Sequence, residues 1–131
     1  MQKAKLQTGI GAQAQVDIRE RTFAFAVRIV RLCRHLDGKP GVGRTLSRQL
    51  LRAGTSVGAN MEEAQSGSSR ADFINKVSIA LKEARETHYW LRLLQAAQVI
   101  PVERLEKLKD EAQQLKRILA AIIVSAKNGR K

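Results

Sequence analysis

Residues 101–127 read PVERLEKLKDEAQQLKRILAAIIVSAK, and this stretch decides the fold class. Leu105, Leu108, Ala112, Leu115, Leu119, Ile122 and Ala126 recur at alternating spacings of three and four. All are apolar, so they form one continuous stripe on an α-helix. Pro101 suits the first turn of that helix, where its missing N–H is not needed and its φ is already helical. Upstream, Val99-Ile100-Pro101 closes an earlier helix over about 70–98. Its core stripe is Phe73, Val77, Ala80, Leu81, Ala84, His88, Leu91 and Leu94. Ser69-Arg70-Ala71-Asp72 has the spacing of a capping box and opens it, with Asp in place of the preferred Glu or Gln.

A second helix is expected over 44–65, with Leu46, Leu50, Ala53, Val57, Met61 and Ala64 facing inward. Gly54 and Gly58 lie inside it, each unfavourable by up to ~1 kcal/mol relative to Ala. Glycines retained there mark a close approach of another backbone. The first helix spans 18–36, with Phe23, Ala26, Val27, Val30 and Cys33 on one side and Phe25, Ile29, Leu32 and Leu36 widening it. Asp37-Gly38-Lys39-Pro40-Gly41-Val42-Gly43 ends it, being dense in helix breakers. Residues 1–16 show no apolar period and read as a flexible tail, and 128–131 as a short basic one. Short connections force neighbouring helices antiparallel. The fold is therefore an all-α, up-down-up-down four-helix bundle over 17–127.

Composition agrees. At 131 residues the chain is one domain, 44% hydrophobic and only 4% aromatic, which argues against a β-sandwich. One cysteine excludes a disulfide framework and a multi-cysteine metal site. The longest wholly apolar run, Ile118 to Val124, is seven residues, too short for a bilayer, which takes about 20. No signal peptide is evident near Met1, so a cytoplasmic location without membrane association is expected.

Catalytic constellations are absent from the pattern. Cys33 reads as a small buried hydrophobe. His35 and His88 fall on different helices without metal-ligand spacing. Glu62-Glu63 and Asp110-Glu111 are adjacent pairs that diverge around their helices, so neither makes a two-carboxylate site. Gly9-Ile10-Gly11 and Gly41-Val42-Gly43 lack the rest of a phosphate-binding pattern. No enzymatic activity, cofactor, metal or small-molecule substrate is expected.

Charge carries more information. The formal net charge is +12. Residues 21–52 hold eight basic side chains and one acid, Asp37, for a net +7, and all but Lys39 of the eight are arginines. Arginine forks suit phosphate. Arg28, Arg31, Arg34, Arg44, Arg48 and Arg52 are the candidate nucleic-acid contacts, acting on the backbone without base readout. Without an interleaved aromatic they would not form a stacking platform. The same charge also fits a solvated surface that only keeps the protein soluble. On the third helix Ile79, Trp90 and Leu93, with Tyr89 at their edge, form a second apolar side and a candidate subunit contact.

The string Ser47-Arg48-Gln49-Leu50-Leu51-Arg52-Ala53-Gly54-Thr55-Ser56-Val57-Gly58-Ala59-Asn60 is distinctive, as are Ala64-Gln65 and Ser69-Arg70-Ala71-Asp72-Phe73-Ile74. With Ile79-Ala80-Leu81-Lys82-Glu83-Ala84-Arg85-Glu86-Thr87-His88-Tyr89-Trp90-Leu91, they resemble the four-helix-bundle family of 23S rRNA intervening-sequence proteins. The resemblance runs from about residue 22 to residue 127. It implies a small bacterial protein without enzymatic activity. The family is similar to the accessory protein of diversity-generating retroelements, a basic pentameric bundle that works with a reverse transcriptase. A homopentamer is the assembly the resemblance implies, and with the arginines of the first two helices an oligomeric, non-catalytic RNA-binding protein is the expected function. A protein-interaction scaffold, or an accessory subunit to a reverse transcriptase, is the alternative.

Overall fold

The computed structural model describes residues 10–66 and 69–129, in side-chain detail from Ile18 onward. Four helices follow one another: α1 (Ile10–Leu36), α2 (Val42–Gln65), α3 (Arg70–Ala96) and α4 (Val102–Asn128). Each packs on the next, and α1 returns to touch α4 more lightly, which closes the four-helix bundle. Specific contacts fix the direction. Ser47 meets Cys33 while Gly58 meets Thr22, so α1 and α2 are antiparallel. Gln95 reaches Glu106 while His88 meets Lys116, so α3 and α4 are antiparallel too.

The α4 stripe is inside, as its period requires: Leu105, Leu108, Ala112, Leu115, Leu119 and Ile122 are all buried. Ser69 caps α3 by accepting the Asp72 main-chain N–H at 3.0 Å. Pro101 stands just before α4, and Gly41 just before α2. Gly41 takes φ 129° and ψ −160°, a region open essentially to glycine alone.

Three expectations change. Helix α1 begins at Ile10, inside the stretch read as a tail. Ala12, Gln13, Ala14 and Gln15 are good helix formers, and a helix anchored by buried residues from Ile18 onward extends readily at one hydrogen bond per residue. The rest of that tail, 1–9, lies outside the described residues, as do Arg130 and Lys131. Second, α1 is rotated from its expected phase. Ile18, Thr22, Phe25, Ile29, Cys33 and Leu36 are buried, whereas Phe23 is 65% exposed and Val30 is exposed as well. Third, Thr87 and not His88 is buried on α3, and Ser47 is buried on α2 where Leu46 is only partly covered.

The α1 phase is set by its partner. A Cβ on Gly54 would stand 2.8 Å from Ile29 Cγ1 and Cγ2, and one on Gly58 would stand 3.1 Å from the Thr22 carbonyl oxygen. The glycines thus admit the Thr22–Ile29 side of α1 against α2. One level along, the Ser47 hydroxyl donates to the Cys33 carbonyl at 3.3 Å, and Cys33 Sγ donates to the Ser47 carbonyl at 3.4 Å. These reciprocal bonds satisfy polar groups that burial would otherwise penalise. Thr22 and Thr87 satisfy their hydroxyls within their own helices, on the carbonyls of Arg19 and Glu83.

Candidate nucleic-acid interface

Arg28, Arg31, Arg34, Arg44 and Arg48 are exposed on α1 and α2, as the sequence predicts. Their positions follow from helix geometry. Three-residue steps carry Arg28, Arg31 and Arg34 gradually around the outer side of α1, and four-residue steps align Arg44 with Arg48. The Cys33–Ser47 clasp sets the relative height of the two helices, so Arg34 and Arg48, their neighbours in sequence, stand at one level. Arg44 and Arg48 line an open depression with Pro40, Val42, Thr45 and Leu46. Arg44 also donates from Nη2 to the Asp37 carbonyl at 3.1 Å, which steadies the head group but does not neutralise it.

Arg52 is placed differently. It reaches across to α3, where it pairs with Glu83 at 3.1 Å and with Glu86. The guanidinium beside Glu86 holds that carboxyl below the usual carboxylate range, and the Trp90 indole N–H, donating at 3.0 Å, works in the same direction. The structure therefore separates Arg52 from the other candidates and makes it a tie between α2 and α3. Arg21 is likewise committed, to Glu111 at 2.6 Å and to Gln114 at 3.1 Å on α4. Among the described residues, Arg28, Arg31, Arg34, Arg44 and Arg48 form no ion pair with a carboxylate.

Phe23 alters the expected character of this surface. Because α1 is rotated, its ring stands on the outer side of the helices that carry the arginines, along with Val30 and Leu51. The outer side of α1 therefore carries an exposed aromatic that the sequence reading places inside. Its signal was misread because Phe23 and Phe25 both fit a broad apolar arc on α1.

On α3 the candidate subunit contact divides. Ile79, Trp90 and Leu93 are half-buried, and Trp90 packs against the bundle's own core. Tyr89 is 50% exposed and meets Trp90 edge-on, with ring centroids 5.2 Å apart. Tyr89 and Leu93 line an open groove towards Val102, Glu106 and Lys109 of α4. The bundle thus shows apolar side chains to solvent on both α1–α2 and α3.

Sequence reasoning missed a second group of cations, where α3 lies against α4. His88 and Lys116 are in contact there, with Nδ1 and Nζ 3.3 Å apart. Elsewhere, Cys33 is buried and burial pushes its thiol above the usual range, which suits packing and disfavours the thiolate. Among the described residues no cluster of His, Cys, Asp and Glu has the makings of a metal site, and no helix is long and apolar enough to cross a membrane.

Comparison with known proteins accords with the bundle. Residues 14–121 match the family model described as 23S rRNA-intervening sequence protein. A crystal structure of a protein of unknown function from the S23 ribosomal protein family of Bacteroides thetaiotaomicron is similar, at 43% identity and a TM-score of 0.79. The match covers 85% of this chain and 98% of that one. A comparison with curated proteins found no match.

Proposed function

Starting from a chain that belongs to the 23S rRNA-intervening sequence protein family, we propose that it is a non-enzymatic, cytoplasmic, oligomeric RNA-binding protein. Its contact surface is the outer side of α1 and α2. One observation carries this reading. Arg28, Arg31, Arg34, Arg44 and Arg48 are exposed and form no ion pair with a carboxylate among the described residues, whereas Arg52 and Arg21 are spent on holding helices together. Like charges gathered without counter-charge disfavour the free protein slightly and favour a polyanion. Each phosphate neutralised releases condensed counterions, which is the driving force for such binding. Phe23 adds an exposed ring on which an unstacked base can lie.

The reading is tested by fluorescence anisotropy of a labelled RNA across a salt series. Affinity is expected to fall steeply, with log K losing ~0.7 per phosphate contact for each tenfold rise in salt. No binding near ~50 mM salt, where such contacts are strong, would overturn it.

A second reading is favoured by the exposed apolar side chains. Phe23, Val30 and Leu51 on one side and Tyr89 on another suit contact with a further copy of the chain or with a protein partner. Five copies is the number the family resemblance implies. Trp90 is a poor probe, being packed on the core and hydrogen-bonded to Glu86. Tyr89→Glu is the better variant: light scattering is expected to show a smaller assembly, with helicity by circular dichroism retained. A wild-type chain that is monomeric at micromolar concentration would refute self-association.

A further inference from the structure

The α3–α4 cation group has a charge balance that residue counting hides. His88 and Lys116 stand at its centre, and Arg92 and Lys109 act electrostatically on His88. Arg85, Arg92 and Arg117 act on Lys116. Acids are frequent in this part of the chain, yet the structure turns them elsewhere. Glu86 faces Arg52 of α2, Glu111 faces Arg21 of α1, and Asp110 accepts from Gln114 of its own helix. Glu106 lies at the edge, 3.8 Å from Lys109, whose ammonium also donates to Gln95.

Both central groups are half-buried. Burial pushes the His88 imidazole below its usual range, and the positive charges of Lys116, Arg92 and Lys109 push it the same way. Burial also lowers the Lys116 ammonium, with Arg85, Arg92 and Arg117 adding to the effect. The groups acting on His88 thus come from its own helix and from α4, and none of them is an acid. Such a cluster is held in place by the core beneath it and is unfavourable in isolation; an anion relieves it.

We propose that the half-buried His88–Lys116 contact, with Arg92 beside it, is a phosphate-binding site that takes a phosphate of a nucleic-acid backbone, on the α3–α4 side of the bundle and apart from the α1–α2 arginines. In the free protein Lys116 Nζ and His88 Nδ1 lie 3.3 Å apart, so an imidazole that is neutral with its proton on Nε2 accepts from the ammonium. A phosphate entering between them accepts from Lys116 and Arg92 and allows His88 to take a proton. The imidazole then donates instead of accepting. Phosphate binding therefore consumes a proton and strengthens as the pH falls. The choice of nucleic acid as the phosphate source rests on the RNA-binding reading; the site itself does not.

The His88 titration is followed by NMR with and without inorganic phosphate, at ionic strength matched with chloride, in the native chain and in Lys116→Gln. Phosphate is expected to raise the His88 midpoint by about one pH unit or more and to lose this effect in Lys116→Gln. An unchanged His88 midpoint, or an equal rise in Lys116→Gln, would overturn the site. A short RNA is then added in place of phosphate. A matching rise assigns the site to the backbone, and a response to inorganic phosphate alone overturns that assignment. RNA that binds through α1–α2 while His88 stays silent to both RNA and inorganic phosphate defeats this site and leaves the RNA-binding reading standing. A His88 response to phosphate in a protein that binds no RNA does the reverse.

Discussion

Gly54→Ala is expected to destabilise the bundle by about 1–3 kcal/mol, the range for forcing a methyl into a packed contact. At an open helical site the same change would stabilise by up to ~1 kcal/mol, because alanine is the better helix former. The sign is decided by Ile29. The new Cβ would meet Ile29 Cγ1 and Cγ2 at 2.8 Å and Ile29 Cβ at 3.1 Å, all near the root of a β-branched side chain that cannot swing away. Gly58→Ala meets main chain instead, the Thr22 carbonyl oxygen at 3.1 Å and its carbon at 3.3 Å, so relief requires the helices to separate. Urea unfolding followed by circular dichroism measures both. In an Ile29→Ala background, itself destabilised by ~2–5 kcal/mol, Gly54→Ala should become neutral or stabilising. Equal or higher stability of Gly54→Ala in the native background would remove the close approach as the reason for the glycine.

Changing Arg28, Arg31, Arg34 and Arg48 together to glutamine is expected to lower RNA affinity by about an order of magnitude or more. Melting should stay level or rise slightly, since none of the four has a carboxylate partner among the described residues. Arg52→Gln should behave in the opposite way, keeping most RNA affinity while lowering the melting temperature modestly. Arg52 is half-exposed in its pairs with Glu83 and Glu86, so solvent screens them and their contribution is small, within ~1 kcal/mol. The pH dependence follows from Glu86. Its carboxyl is held low in the folded chain, so the pair's stabilisation is present above the ordinary carboxylate range and is lost as the pH falls through it. His88 acts with the same sign at higher pH. Its folded imidazole resists protonation, so stability present above the ordinary imidazole range declines on acidification.

The bundle was legible wherever an apolar stripe was narrow. On α4 the heptad leaves a single choice of inward side, and Leu105 to Ile122 are buried accordingly. Breaks were legible from local chemistry, as at Ser69 and in the Asp37–Gly43 segment. The phase of α1 was not. Phe23, Phe25, Val27, Ile29 and Val30 spread over most of the helix, and the inward side was selected by two glycines on a different helix. The arginines of α1 and α2 stood out because few acids interrupt them in sequence. Around His88, acids and bases alternate along the chain, and their separation onto different faces exists only in three dimensions. Arg52 shows the converse: it looked like its neighbours Arg44 and Arg48 until Glu83 and Glu86 arrived from α3.

The salt dependence of RNA binding, measured side by side for the native chain and the Arg28, Arg31, Arg34 and Arg48 glutamine variant, tests the α1–α2 interface most directly. If these arginines neutralise phosphates, the variant's plot of log K against log salt should be shallower by about three units, from ~0.7 per single-stranded contact. Parallel lines with unchanged affinity would contradict the interface and leave the charge of α1 and α2 to solubility alone.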